Sequence, residues 1–203
     1  MAETNRQTLA SYEAHAQDYI AGTPRIVSGP VKLWIDAALE GLDREASILE
    51  LGSAFGRDAA YIKNLGYKIE CTDATQAFLE HLRAHGFTAR YFNILTGRLP
   101  AIHDLILANA VLLHFTGDEV SAILRKMAEG LKPGGRFAFS LKQGEGEEWS
   151  NAKLNAPRYF RYWRPAELPA LLRQAGFTGW HIETAATDRK HAGWIYAIAH
   201  MGA

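Results

Sequence analysis

The amino-acid sequence predicts a doubly wound α/β fold, in which a mostly parallel sheet carries helices on both faces. Strand-like and helix-like segments alternate between residues 46 and 141, and a glycine turn closes the first strand. Asp73 ends the second strand. In such a sheet the ligand binds outside the carboxyl ends of the strands, so the polar residues that follow each strand are the first candidates for a site.

The strands are predicted from short apolar segments bounded by Gly, Asp, Asn or Pro, as buried parallel strands are. These segments are residues 46–51, 67–72, 88–92, 103–109 and 135–141. Two later runs, GWHIETAA and GWIYAIAH, are joined by the polar TDRKHA. They predict an antiparallel pair that closes one edge of the sheet.

Helices are predicted between most of the strands. Thr116 and Glu119 have the spacing of a capping box before an apolar stripe of helical period, and LKPGG follows that stripe. Pro30 suits the first position of an earlier amphipathic helix. A late helix is expected at 165–175, where Pro169 removes one hydrogen bond near its start.

The length of 203 residues suits a single domain. It divides into an N-terminal helical arm or lid (1–45), a ligand-binding core (46–141), and a segment with a functional loop, a helix and the closing hairpin (142–203). Residues 142–163 lack periodicity and carry many charges and aromatic side chains, so an irregular loop is expected there.

The charge balance weighs against a nucleic-acid or membrane-surface partner, because 22 basic side chains are matched by 22 acidic ones. The N-terminus lacks the pattern of a signal peptide, and no apolar run has the length of a membrane helix. The single cysteine, Cys71, is expected to be buried in a strand. A soluble protein of the reducing cytoplasm is expected, and its oligomeric state is not predicted.

The stretch ILELGSAFGRD has the form of a strand, a glycine turn and a helix start. Gly52 begins the turn, Gly56 permits close approach of a ligand, and the helix near Arg57 offers free backbone N–H groups. Asp73 stands 21 residues after Gly52, where a carboxylate accepts both hydroxyls of a ribose. At a strand end facing a cleft, Asp73 is expected to support little of the core.

Two other interpretations of this stretch stay open. Glycine turns are common and Asp often ends strands, so the stretch can be a bare turn with no ligand. A nicotinamide dinucleotide needs glycines at positions 52, 54 and 57, but Ala54 and Arg57 occupy two of them, which disfavours binding of a pyrophosphate.

Four motifs together resemble those of the class I S-adenosylmethionine-dependent methyltransferases. They are ILELGSAFGRDAA, ECTDAT, HDLILANAVLLHF and LKPGGRFAFSLK, in this order and spacing. The resemblance covers residues 46–200 and implies a single methyltransferase domain. It also implies a Rossmann-like sheet of seven strands, mostly parallel, with an antiparallel C-terminal strand.

The resemblance also implies roles for single residues, with S-adenosylmethionine as cofactor and S-adenosylhomocysteine as product. The backbone of Gly52, Ser53 and Ala54 would face the methionine part. Asp73 would hold the ribose. The remaining cofactor contacts implied are Ala74, Asn93 and Ile94 around the adenine, Asn109 beside the methionine end, and Arg57 and Asp58, which steady the loop or the carboxylate.

Ala54 departs from the family, which usually has glycine there. Its methyl group lies next to the cofactor and disfavours a positive φ by ~1 kcal/mol or more. This departure motivates an alternative from another functional class, a binding module that holds S-adenosylmethionine or S-adenosylhomocysteine without turnover.

Methyl transfer needs alignment more than a catalytic group, because the sulfonium already activates the methyl carbon. A base helps only if the acceptor is protonated. His114, just past the fourth strand, is the candidate for that base, and bracing of the loop is its equally weighted alternative.

Candidates for acceptor binding lie in the arm and in the 142–163 loop. Cations and aromatics together suit an acidic, partly flat small molecule, although packing under the loop is the alternative for each. The loop candidates are Lys142, Arg158, Arg161, Trp149, Tyr159, Tyr162 and Trp163, of which Lys142, Arg158 and Tyr162 are assigned to the substrate. Tyr12 and Tyr19, seven residues apart, are expected to face the substrate and the cofactor as a lid, or to form a packing stripe.

A metal site is not predicted. His81 and His85 have helical metal spacing, but no carboxylate partner accompanies them.

Overall fold

The structure, a computed structural model, describes residues 3–99, 101–186 and 193–202. The α-helices in this part of the chain are α1 (Glu3–Ala14), α2 (Ala16–Ala21), α3 (Gly29–Leu39), α4 (Arg57–Asn64), α5 (Gln76–Ala84), α6 (Gly117–Glu129) and α7 (Leu168–Gln174). The strands are β1 (Ile48–Leu51), β2 (Ile69–Asp73), β3 (Ala89–Tyr91), β4 (His103–Ala108), β5 (Leu131–Gln143), β6 (Glu147–Ser150), β7 (Arg158–Trp163), β8 (Gly179–Ala185) and β9 (Trp194–His200). Within the described ranges, no helix has both the length and the apolar character to cross a bilayer.

The sheet confirms the predicted fold class. Strands β3, β2, β1, β4 and β5 lie side by side in that order and pair in parallel. Strand β9 runs antiparallel to β5, and β8 pairs with β9 as an antiparallel edge strand. These are the seven strands predicted. The connecting TDRKHA lies outside the described residues.

The prediction of an irregular loop at 142–163 is wrong. Strands β6 and β7 form an antiparallel hairpin, and β7 pairs in parallel with the end of β5 through Lys142–Tyr162 and Gln143–Trp163. Strand β9 occupies one edge of β5 as far as Lys142, so β7 takes the other edge, beyond the end of β4. This position sets β7 over the carboxyl ends of the parallel strands.

The apolar runs of the central strands have buried side chains on both faces, because helices cover both sides of the sheet. In β4, Leu105 and Leu107 pack on the side of α3, whereas Ile106 packs on the side of α6 and α7. Helix α3 is fixed by Trp34, whose indole N–H donates to the carbonyl of Ala197 at 3.1 Å. Cys71 is fully buried in β2, as expected.

The first part of the N-terminal arm, before α3, consists of the two helices α1 and α2. The break falls at His15, between α1 and α2, yet Tyr12 and Tyr19 still contact each other edge to face with ring centroids 5.4 Å apart. Helix α1 is tied to β7 because the Thr8 hydroxyl accepts the backbone N–H of Tyr159 at 3.1 Å. The arm therefore covers the same end of the sheet as β7.

Several helix signals in the sequence are confirmed. Thr116 and Glu119 form both hydrogen bonds of the capping box at the start of α6. Helix α3 begins with Pro30 in its first turn. Helix α7 has Pro169 in its first turn and follows a short 3₁₀ turn at Pro165–Glu167. The sheet strand predicted at 135–141 begins earlier, at Leu131, so LKPGG belongs to β5.

Gly56 fixes the start of α4 and supplies the first prediction. It has φ +81°, and an added Cβ would lie 2.8 Å from Leu82 Cδ2 and 3.0 Å from Phe87 Cε2. Gly86 is a matched control, since it has φ +77° with no atom within 4 Å of an added Cβ. We expect Gly86→Ala to cost ~1–2 kcal/mol of unfolding free energy through backbone strain. Gly56→Ala should cost a further ~1–3 kcal/mol from overpacking, measured by urea unfolding.

An equal loss in the two variants would contradict this account, because it would mean that the neighbours of Gly56 yield without cost.

Candidate functional site

Two adjoining cavities open at the carboxyl ends of the parallel strands. The first is lined by the ends of β1 and β2, and α1 supplies its outer wall with Asn5, Thr8, Leu9 and Tyr12. The second has a volume of about 830 Å³, within the range of small-molecule sites, and lies under β7. Both cavities share a wall formed by Tyr12, Tyr19, Gly52, Ala54, Asn109, Ala110 and His114.

The glycine turn after β1 has an unusual backbone at three positions. Gly52 has φ +64°, and an added Cβ would lie 2.6 Å from Val111 Cγ2. Ala54 has φ +48° and Gly56 has φ +81°. The geometry that favours glycine is therefore present at Ala54, and the alanine adopts it with the strain expected of a side chain in this region. Ser53 follows Gly52 and faces the second cavity.

Asp73 ties the glycine turn to the end of β2. Its Oδ2 accepts the backbone N–H of Ala54 and its Oδ1 accepts that of Thr75, each at 2.9 Å. Each carboxylate oxygen has a second lone pair, so both remain able to accept a ribose hydroxyl. Burial raises the pKa of Asp73 to about 6. The backbone hydrogen bonds lower this pKa, but their effect is smaller than that of burial.

The expectation that Asp73 contributes little to stability is therefore wrong. The side chain is 6% exposed and serves two backbone donors, which the sequence pattern of a strand-ending Asp does not reveal. Ala74 follows it in the wall of the first cavity.

The far end of the first cavity is built from the segment after β3. Asn93 donates from Nδ2 to Asn5 Oδ1 at 3.0 Å, and its own Oδ1 accepts the backbone N–H of Leu95. Ile94 lines the same end. Lys126 on α6 holds this segment by donating to the carbonyls of Ile94, Leu95 and Gly97 at 2.6, 2.9 and 3.0 Å.

Lys126 was not among the predicted site residues. A single lysine on an amphipathic helix carries no sequence signal of a contact more than 25 residues away.

A hydrogen-bonded group connects α4 to β4 beside the second cavity. Asp58 accepts from Arg57 Nε and from Asn109 Nδ2, both at 2.7 Å. The Asn109 oxygen accepts from the hydroxyl of Ser140 on β5 at 2.7 Å. The predicted residues Arg57, Asp58 and Asn109 are therefore brought together, and Arg57 and Asp58 neutralise each other.

Glu50 is a further cavity residue that sequence reasoning did not select. It lies inside β1, is 3% exposed, lines the second cavity, and its Oε2 has no hydrogen-bond partner. Burial, followed by the charge of Asp58, raises the pKa of Glu50 to about 8. The protonated form of Glu50 is therefore favoured relative to an exposed carboxyl.

His114 belongs to a hydrogen-bond chain that fixes its tautomer. Arg158 Nη1, which only donates, bonds to the Tyr12 hydroxyl at 3.2 Å. That hydroxyl then donates to His114 Nε2 at 2.9 Å. His114 Nδ1 carries the proton and donates to the carbonyl of Tyr159 at 2.7 Å. Burial lowers the pKa of His114 to about 3, so the imidazole is neutral.

The predicted acceptor-binding residues separate into two groups. Lys142 and Arg158 line the second cavity, together with Tyr12. Tyr162 lines neither cavity, and its hydroxyl donates to Glu148 on β6 at 2.5 Å, so its assignment to the substrate stays a prediction. Lys153, which was not predicted, lines the second cavity.

The other candidates of the same segment take structural roles. Tyr159 and Trp163 are buried, on the face of β7 opposite Arg158. Arg161 pairs with Glu147, and Trp149 is 44% exposed on β6. The alternation of faces along β7 decides these roles.

Comparison with known proteins finds one family model that matches part of the chain. Residues 49–137 match the model of a family described as methyltransferase domain. A search of curated proteins finds no match to the sequence.

Solved structures of methyltransferases share the fold. One is 1,6-didemethyltoxoflavin-N1-methyltransferase of Burkholderia thailandensis with bound 1,6-didemethyltoxoflavin and S-adenosylhomocysteine, at TM-score 0.74, 21% identity, and 100% of this chain over 92% of that chain. A second structure is DhpI in complex with SAM and HEP, with a TM-score of 0.73 and 19% sequence identity. That match covers 98% of this chain and 99% of the DhpI chain. A third structure is the glycopeptide N-methyltransferase MtfA with S-adenosylmethionine, with a TM-score of 0.63 and 14% sequence identity. That match covers 83% of this chain and 92% of the MtfA chain.

The double role of Asp73 gives a prediction with two readouts. Asp73→Ala removes the ribose acceptor, so affinity for S-adenosylmethionine should fall by ~2–4 kcal/mol, roughly thirty- to a thousandfold. It also leaves two buried N–H groups unpaired, at a cost of ~1–3 kcal/mol each in unfolding free energy. Asp73→Asn keeps one acceptor oxygen and should lose affinity with a smaller loss of stability.

Calorimetry measures the affinity for S-adenosylmethionine, and urea unfolding measures the loss of unfolding free energy. A folded Asp73→Ala protein with the parent's affinity would mean that the ribose is held elsewhere.

Proposed function

We propose that this chain, which carries a methyltransferase domain on the class I S-adenosylmethionine-dependent fold, methylates a small molecule held in its second cavity. S-adenosylmethionine is the methyl donor and S-adenosylhomocysteine the product. The observation that carries the proposal is the shared wall of the two cavities at Asn109 and His114. A cofactor in the first cavity would present its methyl group at that wall, facing an acceptor in the second.

The chemistry at this wall is a displacement. The nucleophilic atom of the acceptor forms a bond to the methyl carbon as the sulfur–carbon bond breaks. The electron pair of that bond stays on sulfur, which loses its positive charge. The protein contributes chiefly by holding nucleophile, methyl carbon and sulfur in line. The hydrogen bonds of Asn109 to Asp58 and Ser140 support such alignment, because they leave its side chain little freedom.

The cofactor contacts remain as predicted from the motifs. In this proposal the turn at Gly52, Ser53 and Ala54 binds the methionine part. The ribose and adenine contacts are Asp73, Ala74, Asn93 and Ile94, with Tyr19 as part of the lid. The burial of Asp73 and Asn93 in the first cavity supports these roles.

His114 acts as a positioning residue in this proposal. Its Nε2 is the only ring nitrogen able to accept, and it holds the Tyr12 hydroxyl at the shared wall. A general base works best with a pKa near the working pH, and a pKa of about 3 is far below it. We therefore assign His114 to orientation of Tyr12 and of the acceptor.

The cellular setting belongs to the same proposal. We place the protein in the cytoplasm, where the fully buried thiol of Cys71 suits a reducing compartment. The balanced charge favours a small-molecule partner over nucleic acid or a membrane surface. The chain acts as one domain, with the arm (1–45) and the 142–203 segment enclosing the acceptor over the 46–141 core. A non-catalytic binding module, the alternative weighed from the sequence, finds no support in the domain match.

A binding and turnover experiment tests the proposal. We expect S-adenosylmethionine and S-adenosylhomocysteine to bind in calorimetry, and a screen of small-molecule acceptors to yield S-adenosylhomocysteine with at least one of them. NADH serves as the control ligand and should give no heat of binding. Absence of binding by both S-adenosyl compounds at millimolar concentration, in a folded sample, would refute the proposed function.

The low pKa of His114 predicts the shape of the pH–rate profile. The imidazole stays neutral down to pH of about 3, so kcat should show no ionisation of His114 between pH 5 and 8. His114→Gln, which keeps an acceptor and a donor, should lower kcat without changing the profile in that range. Loss of an acid limb in the variant would instead identify His114 as the base.

A further inference from the structure

Among the residues that the structure describes, Arg158 is a buried cation with no anionic partner. It is 4% exposed, its Nε–H has no acceptor, and its Nη1 donates only to the neutral hydroxyl of Tyr12. The ion pairs formed among the described residues do not include it. A buried guanidinium is costly to desolvate unless an anion pairs with it. Arg158 therefore lacks the partner that its burial requires.

Two lysines bring further positive charge to the same cavity. Lys142 Nζ lies 4.2 Å from the centre of the Phe160 ring, and Lys153 Nζ lies 3.8 Å from that of Tyr19. Lys153 Nζ also donates to the Thr23 hydroxyl at 2.5 Å. Neither forms an ion pair with a described carboxylate. Burial, with repulsion from Arg158 second, lowers the pKa of Lys153 to about 8 and also lowers that of Lys142.

The acidic residues of the cavity do not balance these cations. Asp58 is already paired with Arg57 and hydrogen-bonded by Asn109. Burial, followed by the charge of Asp58, raises the pKa of Glu50 above its ordinary value, and Glu50 forms no ion pair with Arg158, Lys142 or Lys153. The second cavity therefore has a surplus of positive charge even before a sulfonium cofactor adds another.

We infer that the methyl acceptor carries a compact oxyanion, a carboxylate or a phosphate-like group, which Arg158 binds with support from Lys142 and Lys153. This inference rests on the proposed function, since it names the substrate class of the same cavity. The planar guanidinium offers Nε and Nη donors in a fork that matches such a group. Aromatic rings of Tyr12 and Phe160 flank the guanidinium at 5.5 and 5.1 Å, which suits an organic anion.

Arg158 also links the anion to the shared wall. Its bond to Tyr12 continues to His114, so an anion that pairs with the guanidinium away from Nη1 would leave the Tyr12–His114 contact in place. The anionic group would then lie on the β7 side of the cavity and the nucleophilic atom would point to the wall. Arg158 is in this way a specificity-determining residue, and His114 and Tyr12 position the other end of the acceptor.

The test uses the full chain saturated with S-adenosylhomocysteine and three phenyl probes, benzoate, its uncharged isostere benzamide, and phenylphosphonate. We expect at least one of the two anions to bind in calorimetry, and the uncharged benzamide to bind at least about tenfold more weakly, because it cannot pair with Arg158. The anion that binds more tightly distinguishes a carboxylate from a phosphate-like acceptor.

Two substitutions on β7 make the test specific. Arg158→Gln should lower the affinity for the anion by about thirtyfold or more without lowering the affinity for S-adenosylhomocysteine. Arg158→Lys keeps the charge but loses the forked guanidinium, so it should lower the affinity for the anion by about tenfold. Arg161→Gln is the matched control, since Arg161 lies on the opposite face of β7 and pairs with Glu147 and Glu167 at 2.8 and 3.7 Å. It should leave anion affinity unchanged.

The outcomes separate this inference from the proposed function. Failure of S-adenosylhomocysteine to bind the parent overturns the proposed function itself. Normal binding of S-adenosylhomocysteine with no preference for either anion overturns the inference alone. Equal loss of S-adenosylhomocysteine and anion affinity in Arg158→Gln also overturns it, because the guanidinium would then hold the carboxylate of the cofactor.

Discussion

The carboxylate of Asp73 is the constraint on which the site depends. By accepting the N–H groups of Ala54 and Thr75, it joins the turn after β1 to the end of β2. This bridge holds the N–H of an alanine that adopts a positive φ, and it adds to the backbone bonds from Ser53 to Thr72 and from Gly56 to Ser53. Asp73 also lines the first cavity, so under the proposed function the side chain that holds the turn would also hold the ribose. Stability and binding are coupled in one buried side chain.

A second constraint comes from the contact between α1 and β7, which lie far apart in sequence. The Thr8–Tyr159 hydrogen bond and the chain from Arg158 through Tyr12 to His114 connect the arm, β7 and the turn after β4. These contacts decide which ring nitrogen of the neutral His114 carries the proton. Each of its ring nitrogens already has a partner, and the hydrogen-bond directions follow from the one group that only donates, Arg158.

The fold, and the residues that line the first cavity, could be predicted because their signals are local. Apolar runs, the glycine turn and the strand-ending Asp73 each lie within a few residues of what they specify. The error at 142–163 arose because β7 buries an arginine, and a charged residue inside a strand hides the alternation of faces. Lys126, Lys153 and Glu50 were missed for a related reason. Their roles depend on burial and on long-range contacts, which a single sequence does not encode as a pattern.

The outer wall that α1 gives to the first cavity has a consequence for kinetics. Tyr12 belongs to both cavities, so under the proposed function an acceptor seated beneath β7 would hold in place the side chain that also covers the cofactor. We expect compulsory-order turnover, in which the cofactor binds before the acceptor and the demethylated cofactor leaves last. Such an enzyme is strongly inhibited by its own nucleoside product, so its rate would follow the cellular ratio of methylated to demethylated cofactor rather than the concentration of either.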